Sequence, residues 1–333
     1  AWLRLTARRS ARPAHPAPPP SPIAAQPTTI QHWQLRDLVQ CERAHEAHCV
    51  HGQEVVRYDG QKEEGTIVQQ LKFSPTSMTV SHGYVVSGGS RSELHVTRQA
   101  TGETIFSQLL GGNVNNALHV GRDQAGNLKL FVCNNDDTIK VFSLPDMALA
   151  ATIMCSVPIN YCALSPDGRS LACVGDNNDV HLYRCSHHGD QFLKIKRLSE
   201  AHDHGMSVAW NPSGSCFAAA SQDGLVCVWD VRSQRPMAKF STSLACRSLK
   251  FSRGPVDLLA FAEHEENIHL VDARTFATRQ TIRVGSPGMD SSNISGIAFF
   301  PDGSHIYAGL DDSISLYEID TSMRRSFPQG CLI

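Results

Sequence analysis

The chain carries 16 histidines and 11 cysteines, and the densest grouping is His45, His48 and His51 beside Cys41 and Cys49. Imidazole and thiolate are zinc ligands, and a structural zinc site needs about four of them converging tetrahedrally. A spacing of three makes a ridge of these histidines on a helix, whereas on a strand they alternate between faces. A second grouping, Cys185, His187 and His188, falls in a predicted connecting loop and needs a further ligand such as Asp190. Both groupings are expected to be ordinary core or solvated side chains, and no metal is expected. Carboxylates cluster at Asp136-Asp137, from Asp176 to Asp179, and at Asp311-Asp312. Each cluster stands between two predicted strands, where turns need Asp, so turn chemistry accounts for them without a paired-carboxylate enzyme. The phosphate-cradling patterns G-x-x-x-x-G-K-S/T and G-x-G-x-x-G and the nucleophile elbow G-x-S-x-G do not occur. No catalytic residue and no cofactor are expected.

The elements that position these residues are short strands. The stretch Gly205 to Arg232 shows the unit most clearly. Met206 to Trp210 reads as one strand, closed by the turn Asn211-Pro212-Ser213-Gly214. Cys216 to Ser221 is a second, ending at Gln222-Asp223-Gly224, and Leu225 to Asp230 a third. Asp-Gly is a hairpin signal because Gly takes positive φ freely and Asp folds its carboxylate back on the backbone. Pro236 to Ser241 can supply a fourth strand.

This unit resembles one blade of a WD40-repeat propeller, a four-stranded sheet that must stack on copies of itself to bury both faces. Trp229-Asp230 stands at the family's signature dipeptide, Asp223 at its turn, and His202 near its Gly-His position, with Ala201 in place of Gly. The resemblance implies that His202, Ser221, Asp223 and Trp229 form a buried hydrogen-bonded network that is structural rather than catalytic. Runs such as LRDLVQC, NNDDTIKVFSLP and INYCALSPDG are also similar to a fungal and plant group of functionally unassigned WD-repeat proteins.

Further copies follow the same pattern, with blades expected near 33–64, 66–110, 113–153, 157–200, 202–241, 245–284 and 292–320. Pro75, Pro166, Pro212, Arg253 and Pro301 align as the turn after the first strand of their blades. The expected fold is therefore all-β, a seven-bladed WD40 β-propeller over residues 33–333. Six blades with a separate N-terminal piece is the rival, because the first blade, opening at Trp33 to Gln40, has the weakest pattern. The last blade needs an outer strand, expected near residues 24–32 or from Thr321 to Phe327.

Residues 1–32 hold seven of the chain's 17 prolines and four arginines without an acid. They are expected to form a disordered Pro/Arg-rich tail, since little apolar surface is available to offset ordering entropy. The same composition fits an organellar transit peptide, but a simple tail of a longer gene product is the preferred reading, the chain opening on Ala1. An odd cysteine count, without any C-x-x-C pair, favours a reducing compartment, so cytoplasm or nucleus is expected. Cys331 stands one residue short of a prenylation box, and no apolar run is long enough for a membrane helix. A net charge of −2 gives no bulk basic field, so nucleic acid is not an expected partner.

The expected function is a non-enzymatic scaffold whose loops and blade edges meet other proteins or peptides. The longer loops, Arg184 to Arg197 and Gly285 to Asn293, are candidate binding elements. An alternative comes from Trp229-Asp230-Val231-Arg232, which is similar to the box by which some WD-repeat proteins dock onto the adaptor of cullin-RING ubiquitin ligases. That likeness implies adaptor contacts from Asp230 and Arg232, and from a partial second copy at Asp272 and Arg274.

Overall fold

The computed structural model describes residues 5–6, 26–284 and 292–320. Among them the chain forms 28 strands in seven four-stranded antiparallel sheets, and no helix. The first strands of the sheets face one another around a central channel, and each sheet runs outward from there. Burial follows this radial order. Second strands such as Cys216–Ser221 and Leu258–Glu263 are buried at every residue, so they are built from small and apolar side chains. Outermost strands such as Ala148–Met154 and Arg279–Arg283 are largely exposed.

The hydrophobic core is divided into seven clusters, one at each joint between neighbouring blades. Phe131, Ile139 and Val141 of blade three, for example, pack on Cys162, Leu164 and Cys173 of blade four. Each sheet therefore buries both faces against its neighbours, which is why one blade cannot fold alone. Polar bonds stitch the inner ends of the joints. In blades two, three and four a bulge residue near the start of the first strand reaches a carbonyl of the next blade's first strand. Thr76 Oγ1 donates to Asn115 O at 3.1 Å, Asn116 Nδ2 to Ile159 O at 3.0 Å, and Asn160 Nδ2 to Gly205 O at 3.0 Å. In blade six the corresponding bulge position holds Arg247, which does something else.

All seven blades are complete, including the first, with strands Val39–Arg43, Glu46–His51, Glu54–Asp59 and Glu64–Gln70. Six blades with a separate piece is thereby ruled out. The first strand begins at Val39, not at Trp33 as the sequence suggests; residues 32–38 take another path. Blade two also differs from expectation. Its first strand is Pro75–Ser81 and its turn lies at His82-Gly83, both with positive φ. Pro75 thus opens the strand, where a missing N–H is harmless, while Pro166, Pro212, Arg253 and Pro301 do follow theirs.

The ring closes in two places. The outer strand of blade seven is Leu5–Thr6, pairing Leu5 with Ile319 and Thr6 with Glu318. It comes from the N-terminal side but not from residues 24–32; Thr321 to Phe327 lies outside the described residues. Residues 26–30, assigned to the tail by composition, instead clasp blades one and seven. Thr28 Oγ1 donates to Leu310 O at 2.6 Å and lies 2.8 Å from the Ser295 hydroxyl, and Thr29 N donates to Val50 O at 2.9 Å.

Candidate functional site: the strapped channel mouth

On the face that carries the blade-to-blade connections, residues 32–37 run across the channel mouth as a strap before entering blade one. Two arginines hold it. Arg36 Nη1 donates to His32 O at 3.0 Å, and Arg247 Nη1 donates to Trp33 O. The Arg247 guanidinium also lies 5.1 Å from the Trp33 ring centroid, a cation–π contact, and reaches Gln222 Oε1 at 3.3 Å. Trp33 is 61% exposed, whereas Arg36 and Arg247 are 7% and 6% exposed. A large aromatic side chain thus stands in solvent over one buried cation, Arg247, with the second, Arg36, on the same strap.

Below the strap, Asp37 enters the channel. Its carboxylate accepts from Tyr161 Oη at 2.5 Å and pairs with Lys250 Nζ at 2.8 Å. Tyr161 belongs to the first strand of blade four and Lys250 to that of blade six, so one carboxylate ties blades one, four and six across the axis. Small wall positions lie beside this segment: Ser77 and Ala117 line the same space as Asp37, and a Cβ on Gly296 would stand 3.0 Å from the backbone nitrogens of Leu38 and Val39. Burial, then the Asp37 charge, raises the Tyr161 pKa well above its ordinary value, so the phenol stays protonated and donates.

The arginines have no comparable partner. Among the described residues no carboxylate lies within ion-pair distance of either, and the Nε of each is buried without a hydrogen-bond acceptor. Burial and then Arg247 push the Arg36 pKa down to about 10, with Asp311 and Glu265 opposing from further away. Burial likewise lowers Arg247. His32 is lowered by burial, then by Arg36 and Arg247, so it is neutral at pH 7. Around this cationic centre the turns and connections carry acids, including Asp176, Asp203, Glu265 and Asp311.

The opposite end of the channel is open as a cavity of about 550 Å³, with His82, His119, Trp210, Lys250 and Arg253 among its walls. The His119 pKa is pushed down to about 3 by burial, then by Lys250, Arg253 and His82, so this imidazole is neutral.

Comparisons with known proteins agree with this architecture. The model described as WD domain, G-beta repeat, matches residues 194–230 and 281–318. Each match covers the outer strand of one blade and the first three strands of the next. The crystal structure of the WD40 β-propeller domain of Doa1 superposes with a TM-score of 0.71, covering 91% of this chain and 98% of that one, at 14% identity. The chain is a seven-bladed β-propeller that carries WD40 repeats.

A second model, Uncharacterised protein domain (DUF2415), matches residues 245–283, which are blade six of this WD40 ring. An uncharacterized protein of Schizosaccharomyces pombe is 28% identical over 91% of this chain and 92% of its own length. An uncharacterized protein of Saccharomyces cerevisiae is 26% identical over 54% of this chain, and the match spans 30% of that relative's length.

The WD40 repeat of blade five departs from the network expected of it. Asp223 accepts from His202 N at 2.8 Å, from Leu225 N at 3.0 Å and from Ser221 Oγ. Burial opposes its ionisation, but the bonds from Ser221, His202 and Leu225 outweigh burial and lower its pKa. His202 joins through its backbone N–H and is exposed, its connection being too short to bring the ring inward. Trp229 is not a member: its Nε1 is buried without a partner, and its ring stacks on Phe217 at 5.5 Å in the joint with blade four. Two side chains, Asp223 and Ser221, and two backbone amides, those of His202 and Leu225, therefore make the turn, and Trp229 serves packing.

On the other face, Arg232 is not extended. It folds back as a two-pronged fork on Asp230, Nε at 2.9 Å and Nη2 at 2.8 Å. Arg274 makes the same fork on Asp272, at 3.0 and 2.7 Å. The Arg232 bonds hold Asp230 down at about 2. The two side chains are 86% and 51% exposed, so both forks face solvent on adjacent blade edges.

The histidine groupings do not converge. His48 is buried in blade one with both ring nitrogens unpartnered, while His45 sits in a turn at φ 66° and packs edge-on against Phe300. No three His, Cys, Asp or Glu side chains among the described residues are placed to hold a metal ion. Asp190 accepts from Ser186, not from His187 or His188, and tightens that turn. The rest of the expected loop Arg184 to Arg197 is mostly the outer strand Phe192–Ser199. Of Gly285 to Asn293, residues 285–291 lie outside the described residues. The carboxylate clusters serve turns and neighbours: Asp136 accepts from Thr138 at 2.5 Å, Asp179 pairs with Arg197 at 2.7 Å, and Asp311 accepts from Asn293 at 2.9 Å.

Sequence reasoning missed the strap, since Trp33 and Arg247 are 214 residues apart. One signal was available: at the bulge position where blades three and four have Asn116 and Asn160, blade six has an arginine.

Proposed function

We propose that this propeller is a non-enzymatic scaffold that binds peptide segments of partner proteins at the strapped channel mouth. The observation that carries the reading is Trp33, exposed at the centre of the face and resting on buried Arg247. Trp and Arg at a central, partly desolvated position are the side chains that most often dominate protein interfaces. The WD40 fold, whose general use is protein interaction, supports the same reading, and the family matches name no catalytic family. Proximity labelling of the full chain, repeated with Trp33→Ala, tests it. Partners that disappear while circular dichroism stays unchanged support the site; an identical partner set would contradict it.

A second reading is docking on a ubiquitin-ligase adaptor through the paired forks Asp230–Arg232 and Asp272–Arg274. Their exposure on neighbouring blade edges favours it, since a guanidinium fork can exchange its own carboxylate for an acceptor on a partner. Arg232→Ala should then abolish adaptor recovery with the fold intact; unchanged recovery, or none with wild type, removes the reading. The ten described cysteines are all free thiols, which supports a reducing compartment, cytoplasm or nucleus. Tagged protein accumulating in the secretory pathway would contradict that placement.

A further inference from the structure

We propose that Arg36 and Arg247 form a receptor for a phosphoryl group carried by a partner peptide whose flanking residues are basic. The inference rests on the reading of the channel mouth given above and names its ligand chemistry. Two guanidinium groups are more than nine-tenths buried, and no carboxylate among the described residues pairs with either. Buried charges in folded proteins are normally paired. Here their acceptors are uncharged: the backbone carbonyls of His32 and Trp33 and, for Arg247, the Gln222 side-chain oxygen at 3.3 Å. Those neutral oxygens satisfy one donor of Arg36 and two of Arg247 and supply no counter-charge, so the strap occupies the place of an anion without pairing either cation.

Charge count selects the anion. A carboxylate offsets one of the two cations, whereas a phosphoryl group carries about −1.5 to −2 at pH 7 and has three acceptor oxygens for two forks. The flanks follow from the rim, where Asp176, Asp203, Glu265 and Asp311 surround the mouth and repel acidic neighbours of the phosphate. Trp33 is the movable part. Its ring covers Arg247 at 5.1 Å and is 61% exposed, so lifting it opens the fork to solvent and leaves an aromatic surface beside the bound peptide.

The test is an array of peptides with varied Lys/Arg flanks around a central phosphoserine, each with unphosphorylated and glutamate twins, probed with the full chain. Calorimetry on the best sequence then compares wild type with Arg36→Gln and Arg247→Gln, each checked for fold by circular dichroism. The proposal expects phosphopeptides to be retained and both twins to bind at least tenfold more weakly. It also expects at least a tenfold loss with either folded variant. Retention of no phosphopeptide, equal binding of the three forms, or unchanged binding by both variants would overturn it. Equal binding that is lost with Trp33→Ala would remove the phosphoryl group and leave the docking face. Binding indifferent to Trp33, Arg36 and Arg247 alike would remove both.

Discussion

Asp37 and Lys250, 213 residues apart, meet at 2.8 Å inside the central channel. The pair fixes the lead-in of blade one to the inner wall of blade six, and Tyr161 of blade four completes it. The strap above is therefore anchored from below at Asp37.

Breaking this pair should be costly. Both side chains are mostly buried, at 16% and 21% exposed, and removing one partner of a buried ion pair typically costs about 3–5 kcal/mol. Asp37→Ala and Lys250→Ala should each lower stability by about 3 kcal/mol in denaturant unfolding. The double variant should lose less than the sum, because the second change removes no further pair. Additive losses would show that the two residues act independently.

Acid should weaken the fold through His48. Its pKa is pushed down to about 4 by burial, then by Arg57 and Arg43, against an ordinary 6.5. A folded-state value below the unfolded one means that the unfolded chain binds the proton more readily. The stabilising effect of the neutral ring is thus complete above pH 6.5 and is lost as the pH falls toward 4. The whole change amounts to about 3 kcal/mol. His48→Leu should flatten stability over that window, measured by urea midpoints; an unchanged slope would contradict the assignment.

Trp229 and Asp223 should separate packing from turn chemistry in blade five. Trp229→Ala leaves a cavity in the joint with blade four and should cost about 3–5 kcal/mol. Asp223→Ala removes the acceptor of three short-range bonds and should cost about 1–3 kcal/mol. Trp229→Phe, which keeps an aromatic ring and deletes an unpartnered N–H, should recover most of the loss. A Phe variant as unstable as Ala would mean that Nε1 matters after all.

Ring closure should depend more on Thr28 than its place in a Pro-rich segment suggests. Thr28→Val removes the hydroxyl that bridges Leu310 and Ser295 and should cost about 1–2 kcal/mol. A chain beginning at residue 26 loses the two-residue strand Leu5–Thr6 but keeps this clasp, so it should still unfold cooperatively. Faster amide exchange should then be confined to the edge Ile314–Ile319. Fraying of blade one as well would show that Leu5–Thr6 carries the closure.

The fold was readable because each blade repeats a local pattern. Alternating strands and Asp-Gly or Pro-x-Gly turns lie within about 40 residues of one another, close to the repeat length such propellers use. Where the pattern was read by residue type alone it slipped: Pro75 looks like Pro166 but starts a strand. Trp33 to Gln40 looks like a first strand, yet its charges at Arg36 and Asp37 serve the channel. The candidate site was hidden for a different reason. It is made of one-of-a-kind residues (Trp33, Arg36, Asp37, Tyr161, Arg247 and Lys250) that the ring closure brings together from blades one, four and six. The Asp230–Arg232 fork was visible as a motif, but its self-pairing depends on side-chain geometry that the sequence does not carry.

The docking face is tested most directly by site-specific photocrosslinking in cells. A photoreactive phenylalanine analogue replaces Trp33 in one variant and Arg232 in another, at matched expression. The account predicts discrete protein adducts from position 33, competed by untagged wild-type chain, and none from position 232. Adducts from position 232 alone would place the interface on the opposite blade edge and contradict the reading of the channel mouth.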